Sequence, residues 1–417
     1  MFCHGFVMND LSAHYRLLLG LDEAWDVQQV DLDLEANRVE IYVNHNGGKL
    51  SCPECQAMCP RADTAPARNW RHLDTMQFET IIEAAIPRTK CSQCGVKTIA
   101  VPWAEKHSRF TLMFEAFAIK VLQTASNVKK SAELLNLSWD TAHTIMARAV
   151  DRGLERRSEE PIEYVGIDEK SFGRGQDYVS LMVDIDRSRV IDVSKDRSAE
   201  SCDRLWESLS ERQKSGVQAV ATDFWQAYGN SIRAQVPHAE IVHDHFHISQ
   251  YLVEAVDLVR RREHRELKKL GDDSLTGTRH LWLYNLDNLD QEQNERIDQA
   301  QRAAMKTARA WGIKELFRDF WSYQSPHWAG KFFDRWYAWA IRSRLDPIKK
   351  VARMLKKHIA GLLAYFRHPI TNAKSEGFNN QVQQLKSAAR GFRSFTNYRI
   401  RILFYCGKLD LLPKPSH

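Results

Sequence analysis

Nowhere in its 417 residues does the sequence hold an uninterrupted apolar run near the ~18 residues that a membrane span requires. The opening Met1-Phe-Cys-His-Gly-Phe6 lacks the basic-then-apolar order of a secretory signal, so a cytoplasmic protein without membrane partners is expected. Neither sign of charge dominates. The net of +6 is only mildly basic, and the clustering of Lys and Arg says more about partners than the total does. Cysteine is sparse as well. Of the eight, four sit in two Cys-x-x-Cys pairs and the others are scattered, which argues for a bound metal in a reducing compartment over a disulfide framework. Length and apolar content are plentiful, enough for roughly two to four domains.

The paired cysteines are Cys52-Pro-Glu-Cys55 and Cys91-Ser-Gln-Cys94, with 35 residues between them. Four thiolates form a closed tetrahedral shell without an open position for water, so Cys52, Cys55, Cys91 and Cys94 are expected to hold a structural Zn²⁺. The gap exceeds the ~15–20 residues of a simple ribbon and predicts a hairpin insert that includes Phe78–Ile86. Four unrelated thiols are the rival reading, with Cys59 and His72 as spare donors. Ahead of the pairs, Leu11–Leu21 reads as a helix and Val27–Val43 as two strands ending at Asn46-Gly47-Gly48. Behind them, helices are predicted over 111–124, 128–136 and 138–150, the last capped by Ser138. Short helix, tight turn and longer helix make the order of a helix-turn-helix, whose second helix enters a major groove. A plain three-helix linker has the same pattern.

Tyr164-Val-Gly-Ile-Asp168 is an apolar run that delivers a carboxylate at its end, and Val217–Asp223 repeats the device. Strands over 178–184 and 189–194, a helix over 199–214, a helix over 225–236 and a strand over 239–243 complete a mixed sheet in the order of RNase H-like nucleases. From Tyr251 to His368 the strands vanish, which predicts a helical insertion. A third carboxylate, Glu376, lies on the polar side of a helix whose apolar stripe is Phe378, Val382, Leu385 and Ala389. Oxygen donors without Cys or His suit hard cations such as Mg²⁺. Asp184, Asp186 and Asp192 are rival ligands in turns or at strand edges. His243, His245 and His247 read as alternate positions of a strand, a weak case for a second zinc. Two basic runs, Arg260 to Lys269 and Lys349 to Lys357, read as phosphate-facing stripes or solvated faces. Trp336, Tyr337 and Trp339 read as core.

The blocks Gly166-Ile-Asp-Glu-Lys170, Ala221-Thr-Asp-Phe-Trp-Gln-Ala-Tyr228, His243-Asp-His-Phe-His247, Asn372-Ala-Lys-Ser-Glu-Gly-Phe-Asn-Asn380 and Ser387-Ala-Ala-Arg-Gly-Phe392 together resemble the DDE transposases of bacterial insertion sequences, of the ISL3 type. The zinc and helix-turn-helix order upstream is similar to the leader of that family, so the resemblance covers nearly the whole chain. It implies a catalytic triad of Asp168, Asp223 and Glu376 that binds Mg²⁺ or Mn²⁺, with Asp244 and His247 as an accessory motif. It also implies binding of terminal inverted repeats, metal-dependent strand cleavage and strand transfer into target DNA. A homo-oligomer on double-stranded DNA, associated with the bacterial nucleoid, follows from the same likeness.

The expected fold is a multidomain α+β chain: an N-terminal segment (1–49), a zinc ribbon-like module (50–107), a helix-turn-helix domain (108–158), and an RNase H-like mixed α/β catalytic core. That core spans 159–250 and 369–417, interrupted by an all-α insertion (251–368). Two other functions fit the residues. One is a zinc and helix-turn-helix DNA-binding regulator with a non-catalytic RNase H-like domain; the other is an RNase H-like nuclease that hydrolyses without strand transfer.

Overall fold

Residues 8–125, 127–172, 177–302, 305–370, 373–389, 391–392 and 394–414 are described by the computed structural model, with the side chains of 8–10, 300–302, 373–376 and 379 outside that description. The chain divides into two compact units, Met1–Arg157 with Leu409–His417, and Ser158–Lys408.

Unit 1 runs α1 (Met8–Leu18), β1 (Trp25–Asp33), β2 (Arg38–His45), β3 (Lys49–Ser51), β4 (Met58–Thr64), β5 (Arg68–Arg71), β6 (Glu79–Ala84), β7 (Pro87–Cys91), β8 (Gly95–Thr98), α2 (Leu112–Ala125), α3 (Val128–Leu134) and α4 (Trp139–Glu155). In β2, every second side chain is buried, placing Val39, Ile41 and Val43 on one face, as the two-residue period of a pleated strand requires. That face packs on Trp25, Trp70 and Trp103, whose rings meet edge to face at 4.8 and 5.6 Å. Two four-stranded sheets result, ordered β1-β2-β6-β5 and β3-β4-β7-β8. The strands between the two cysteine pairs therefore do more than lengthen a ribbon: β6 pairs in parallel with β2 from Arg38↔Glu79 to Val43↔Ala84. The hairpin insert and the N-terminal strands thus share one sheet.

The three helices predicted behind the cysteine pairs are present. Asn127 and Ser138 cap α3 and α4 by accepting the Lys130 and Thr141 amides at 3.1 Å, which fixes where each begins. Asn136, at φ 52°, makes the turn between them. Ala142, Ile145, Met146, Ala149 and Val150 supply the buried stripe of α4. Farther along, Arg152 bonds Glu105 at 2.7 and 2.9 Å, pairs with the buried Glu115, and donates to the Leu411 carbonyl at 2.5 Å. Arg156 donates to the Leu412 carbonyl at 2.6 Å. Gly153 faces Leu409 so closely that a Cβ would overlap it. Residues 409–412 are thereby fastened to α4.

Unit 2 contains β9 (Tyr164–Ser171), β10 (Tyr178–Asp184), β11 (Arg189–Lys195), α5 (Ala199–Trp206), α6 (Glu211–Gly216), β12 (Ala219–Thr222), α7 (Gln226–Gln235) and β13 (Glu240–His243). Next come α8 (His245–Lys269), α9 (Arg279–Leu283), α10 (Gln291–Arg302), α11 (Lys306–Arg318), α12 (Pro326–Arg342), α13 (Asp346–Lys357) and α14 (Ile359–Ala364), then α15 (Ala373–Ala388) and α16 (Phe395–Cys406). The single helix expected over 199–214 is two, because Ser210 and Gln213 form a reciprocal capping box that starts α6 afresh. The sheet order is β11-β10-β9-β12-β13, antiparallel through β9 and parallel beyond it. Parallel neighbours must be reached by crossovers, and α7 is the crossover from β12 to β13.

The helical insertion carries its own core around Trp311, Phe317, Phe320, Phe333 and Trp336. Trp336 is buried and donates to the Ile313 carbonyl at 2.9 Å, and Tyr337 is half-buried. Trp339 departs from the expected core position at 41% exposure. Arg260 departs from the expected basic stripe: it is buried and bound to Asp257 at 2.8 and 2.9 Å, so its charge is already matched. On α13, Lys350, Arg353 and Lys357 are exposed, while Lys349 and Lys356 reach Asp346 and Asp334 at 3.3 and 2.7 Å.

Candidate active site

The central strand β9 carries Asp168 near its C-terminal end, opposite Leu181 of β10. On its other side β12 runs parallel, with Ala219↔Tyr164, Val220↔Val165 and Ala221↔Gly166. Continuing that register by two residues brings Asp223, just beyond β12, level with Asp168. Two apolar strands thus deliver two aspartates to one end of the sheet, where open α/β sheets bind ligands.

Asp168 is 7% exposed and its Oδ1 accepts the Glu169 amide at 2.8 Å. Asp223 accepts the Trp225 amide at 2.8 Å. Burial pushes the Asp223 carboxyl up to about 6; the negative charges of Glu169 and Asp168 add to the rise, while the Trp225 amide and His247 oppose it. A buried carboxyl raised in this way beside a second one marks a candidate functional site. The donors are oxygen only, which fits a hard divalent ion and not a thiophilic one.

His243, at the end of β13, fixes the second aspartate from behind by donating from Nδ1 to the Asp223 carbonyl at 3.1 Å. Burial lowers this imidazole to about 4, so it is neutral and its tautomer is set by that bond. Its ring lies against Phe224, His358 and Gly361 of α14, where any Cβ would collide with it. The alternating histidines are therefore not on one strand. Asp244 ends the strand and caps α8, accepting the Phe246 amide at 3.1 Å, so His245 and His247 belong to a helix. Asp244 is 2% exposed, and its Oδ2 has no hydrogen-bond partner among the described residues. His247 is half-buried and close enough for its charge to act on Asp223.

The Glu376 side chain lies outside the described residues. Its helix α15 passes the end of β9, where Lys386 donates to the Ser171 carbonyl at 3.0 Å. Val382 and Leu385 are buried, Phe378 is half-buried, and Asn380 and Gln383 are exposed, matching the expected apolar and polar sides. The rival acids are engaged elsewhere. Asp184 is fully buried at the other end of the strands, opposite Val165, and binds Arg189 at 3.1 Å and Arg187 at 3.3 Å. Asp192 binds Arg399 of α16 at 2.7 and 3.0 Å, and Asp186 is in the turn after β10.

In unit 1 the sulfur atoms of Cys52, Cys55, Cys91 and Cys94 lie within 4.8 Å of one another, the one such group of possible metal ligands found among the described residues. A tetrahedral zinc with bonds of ~2.3 Å needs sulfurs about 3.8 Å apart, and the Cys55 to Cys91 separation is 3.6 Å. The amides of Cys94 and Gln93 point at Cys91 and lower its thiol to about 6, the thiolate form a metal takes. The chemistry and spacing of the donors fit zinc. Cys59 bonds the Ala57 carbonyl at 3.3 Å outside this group. His72 is a core histidine, buried against Thr111 at 2.9 Å and lowered to about 4 by that burial.

No described helix is long and apolar enough to cross a membrane. Comparison with known proteins accounts for both units. The ISL3 DDE domain profile, described as a transposase, matches residues 165–402. The helix-turn-helix domain of transposase family ISL3 matches 99–150, and the zinc-finger of transposase IS204/IS1001/IS1096/IS1165 matches 49–94. Among relatives, the transposase for insertion sequence element IS1001 of Bordetella parapertussis is 28% identical over 92% of this chain and 96% of its own length. The transposase for insertion sequence element IS1557 of Mycobacterium tuberculosis is 24% identical over 91% and 92%. With the DDE profile matched over more than half its length, on the very strands that deliver the paired aspartates, this chain belongs to the ISL3 family of insertion-sequence transposases.

Proposed function

We propose that this transposase binds the terminal inverted repeats of its own element through unit 1, and performs Mg²⁺- or Mn²⁺-dependent strand cleavage and strand transfer with Asp168, Asp223 and Glu376 of unit 2. The observation that carries the reading is the arrival of Asp168 and Asp223 at one end of adjacent parallel strands, with a neutral His243 fixing the second. The three carboxylates would hold the divalent cations, which when bound neutralise charge on the attacking and leaving oxygens of a phosphodiester. The chain's own residues do the positioning. β9 and β12 fix two carboxylates in register, the Trp225 amide orients the Asp223 carboxylate, and Asp244 starts α8 so that His247 stands near it.

Cys52, Cys55, Cys91 and Cys94 hold the zinc that closes the ribbon. Exposed Trp139, Asp140 and Thr144 in the first turns of α4 face base edges, while exposed Lys129 and Lys130 at the start of α3 meet phosphates. Pairing two element ends calls for more than one copy of the chain on DNA, in the cytoplasm at the nucleoid.

The test is incubation of the purified full chain with an element-end duplex and Mg²⁺. Cut ends later joined to a target through a 3′-hydroxyl support the reading. Cutting without joining identifies a hydrolytic nuclease, and binding without cutting identifies a regulator.

A further inference from the structure

Trp225 is 41% exposed and stands two residues after Asp223, at the N-cap position of α7. Ser, Thr, Asp or Asn is favoured there, because a short oxygen satisfies a free helix amide; the indole makes no capping bond. Nor is it a core residue, and among the described residues no aromatic ring packs on it. A large apolar side chain that serves neither the helix end nor a core is a local departure of the kind found at functional sites.

The indole is nevertheless held rigidly. Its Nε1 donates to the Arg197 carbonyl at 2.8 Å, and the Arg197 guanidinium lies over its ring at 4.6 Å from the centroid. The same guanidinium lies over Tyr178 at 4.3 Å and pairs with Glu169 at 3.4 Å. Arg197 is itself aimed by Asp196, which takes a left-handed φ of 79°, a conformation Asp tolerates better than most, and whose carboxylate accepts the Arg197 amide at 3.1 Å. Four groups thus immobilise an exposed aromatic surface next to the paired aspartates, with a cation against the ring.

We propose that Trp225 is a stacking platform for one base of the DNA strand at the cleavage junction, and that Arg197 is the residue that positions it. A flat ring fixed before binding loses little entropy on contact, and every base offers a face to it, so the contact tolerates sequence. The guanidinium behind the ring, itself paired with Glu169, serves to hold the ring in place. The proposal rests on the reading of Asp168 and Asp223 as the cleavage site, since they define which nucleotides lie within reach.

The experiment uses the full chain and an element-end duplex carrying 5-iodouracil at successive positions on each side of the cut, irradiated in Mg²⁺ for the Asp223→Asn variant and in Ca²⁺ for the wild type. The expected result is a crosslink mapped by mass spectrometry to Trp225 from one or two junction positions, in both proteins. Trp225→Ala should cut about tenfold more slowly while binding ends within about threefold of wild type, and Trp225→Phe should recover most of the rate. Arg197→Lys retains charge but not the planar cover, and should lower the Trp225 crosslink yield severalfold. Crosslinks that map only to other residues overturn the platform, as does Trp225→Ala cutting at the wild-type rate. Retained cutting by Asp223→Asn, with the Trp225 crosslink intact, overturns the assignment of the acid instead.

Discussion

Replacing Asp223 by Asn should stabilise unit 2 in protein free of Mg²⁺ and Mn²⁺. In the folded chain this carboxyl titrates near 6 against an ordinary 3.8, raised first by burial and then by the charges of Glu169 and Asp168. Between those two values the native state keeps a proton that the unfolded state has lost. Folding is therefore favoured at low pH, and that advantage drains away as pH rises through about 4 to 6. At neutral pH the wild type carries the whole cost of a half-buried charge. The gap corresponds to about 3 kcal/mol at ~1.36 kcal/mol per pH unit, reduced to about 2 kcal/mol by partial access of water. Asn removes the charge and keeps an oxygen for the Trp225 amide, so little is lost in exchange.

For a unit of this size the gain is a melting temperature higher by roughly 4–8 °C at pH 7.5. It should shrink to about a third of that free energy by pH 4.5. Scanning calorimetry without chelator, so that zinc stays bound, reads both values. Added Mg²⁺ should raise the wild-type transition and leave the variant unmoved. A variant that melts at or below the wild type at pH 7.5 without divalent cations would show that the two aspartates do not strain the fold, and the electrostatic case for a cation site would fall.

Three further outcomes follow from other parts of the chain. Metal analysis of protein purified without chelator should give about one zinc per chain, lost with the folding of the ribbon when Cys52 or Cys94 becomes Ser; a full zinc content in either variant refutes the ligand set. Gly361→Ala places a methyl where the His243 ring stands, so it should shift the Asp223 carbonyl and cut cleavage at least tenfold while end binding, measured by gel shift, is kept. Arg152→Ala leaves the buried Glu115 without its nearest guanidinium and removes the bond to the Leu411 carbonyl, while Arg156 still holds Leu412, and should cost about 3–5 kcal/mol in urea titration of unit 1. An effect under about 1 kcal/mol would mean that water reaches Glu115.

What was legible in the sequence was whatever a period or a spacing encodes. Alternating burial in β2, the Ser138 cap, the two apolar runs ending at Asp168 and Asp223, and the Cys-x-x-Cys pairs each declare themselves within a few residues. The parts that stayed hidden depend on partners far along the chain. Arg260 is the exception: its partner Asp257 stands three residues before it on α8, the spacing of an intrahelical ion pair, and only its burial depends on the fold. His-Asp-His-Phe-His was misread because strand alternation and the start of a helix look alike over five residues; the signal that separates them is Asp244, an N-cap residue ahead of a long amphipathic run. Trp225 and Arg197 were invisible for a different reason. Their contact joins the turn after β11 to the start of α7, and only the fold makes them neighbours.

The helical insertion also has a physical part in the site. β13 is the edge of its sheet, and an open edge next to a carboxylate pair would move with solvent and invite pairing with other strands. The chain leaves β13 directly into α8, builds an independent core, and returns as α14 to pack on β13. Arg367, just past α14, clamps Glu240 at the start of the strand with bonds of 2.6 and 3.0 Å, and Gly361 receives the His243 ring at its end. The edge is thus closed at both ends by one returning segment. Because His243 holds the Asp223 carbonyl, closure of the edge and placement of the second aspartate are one structural event, so a loosened α14 should reach the chemistry before it reaches the stability of the sheet.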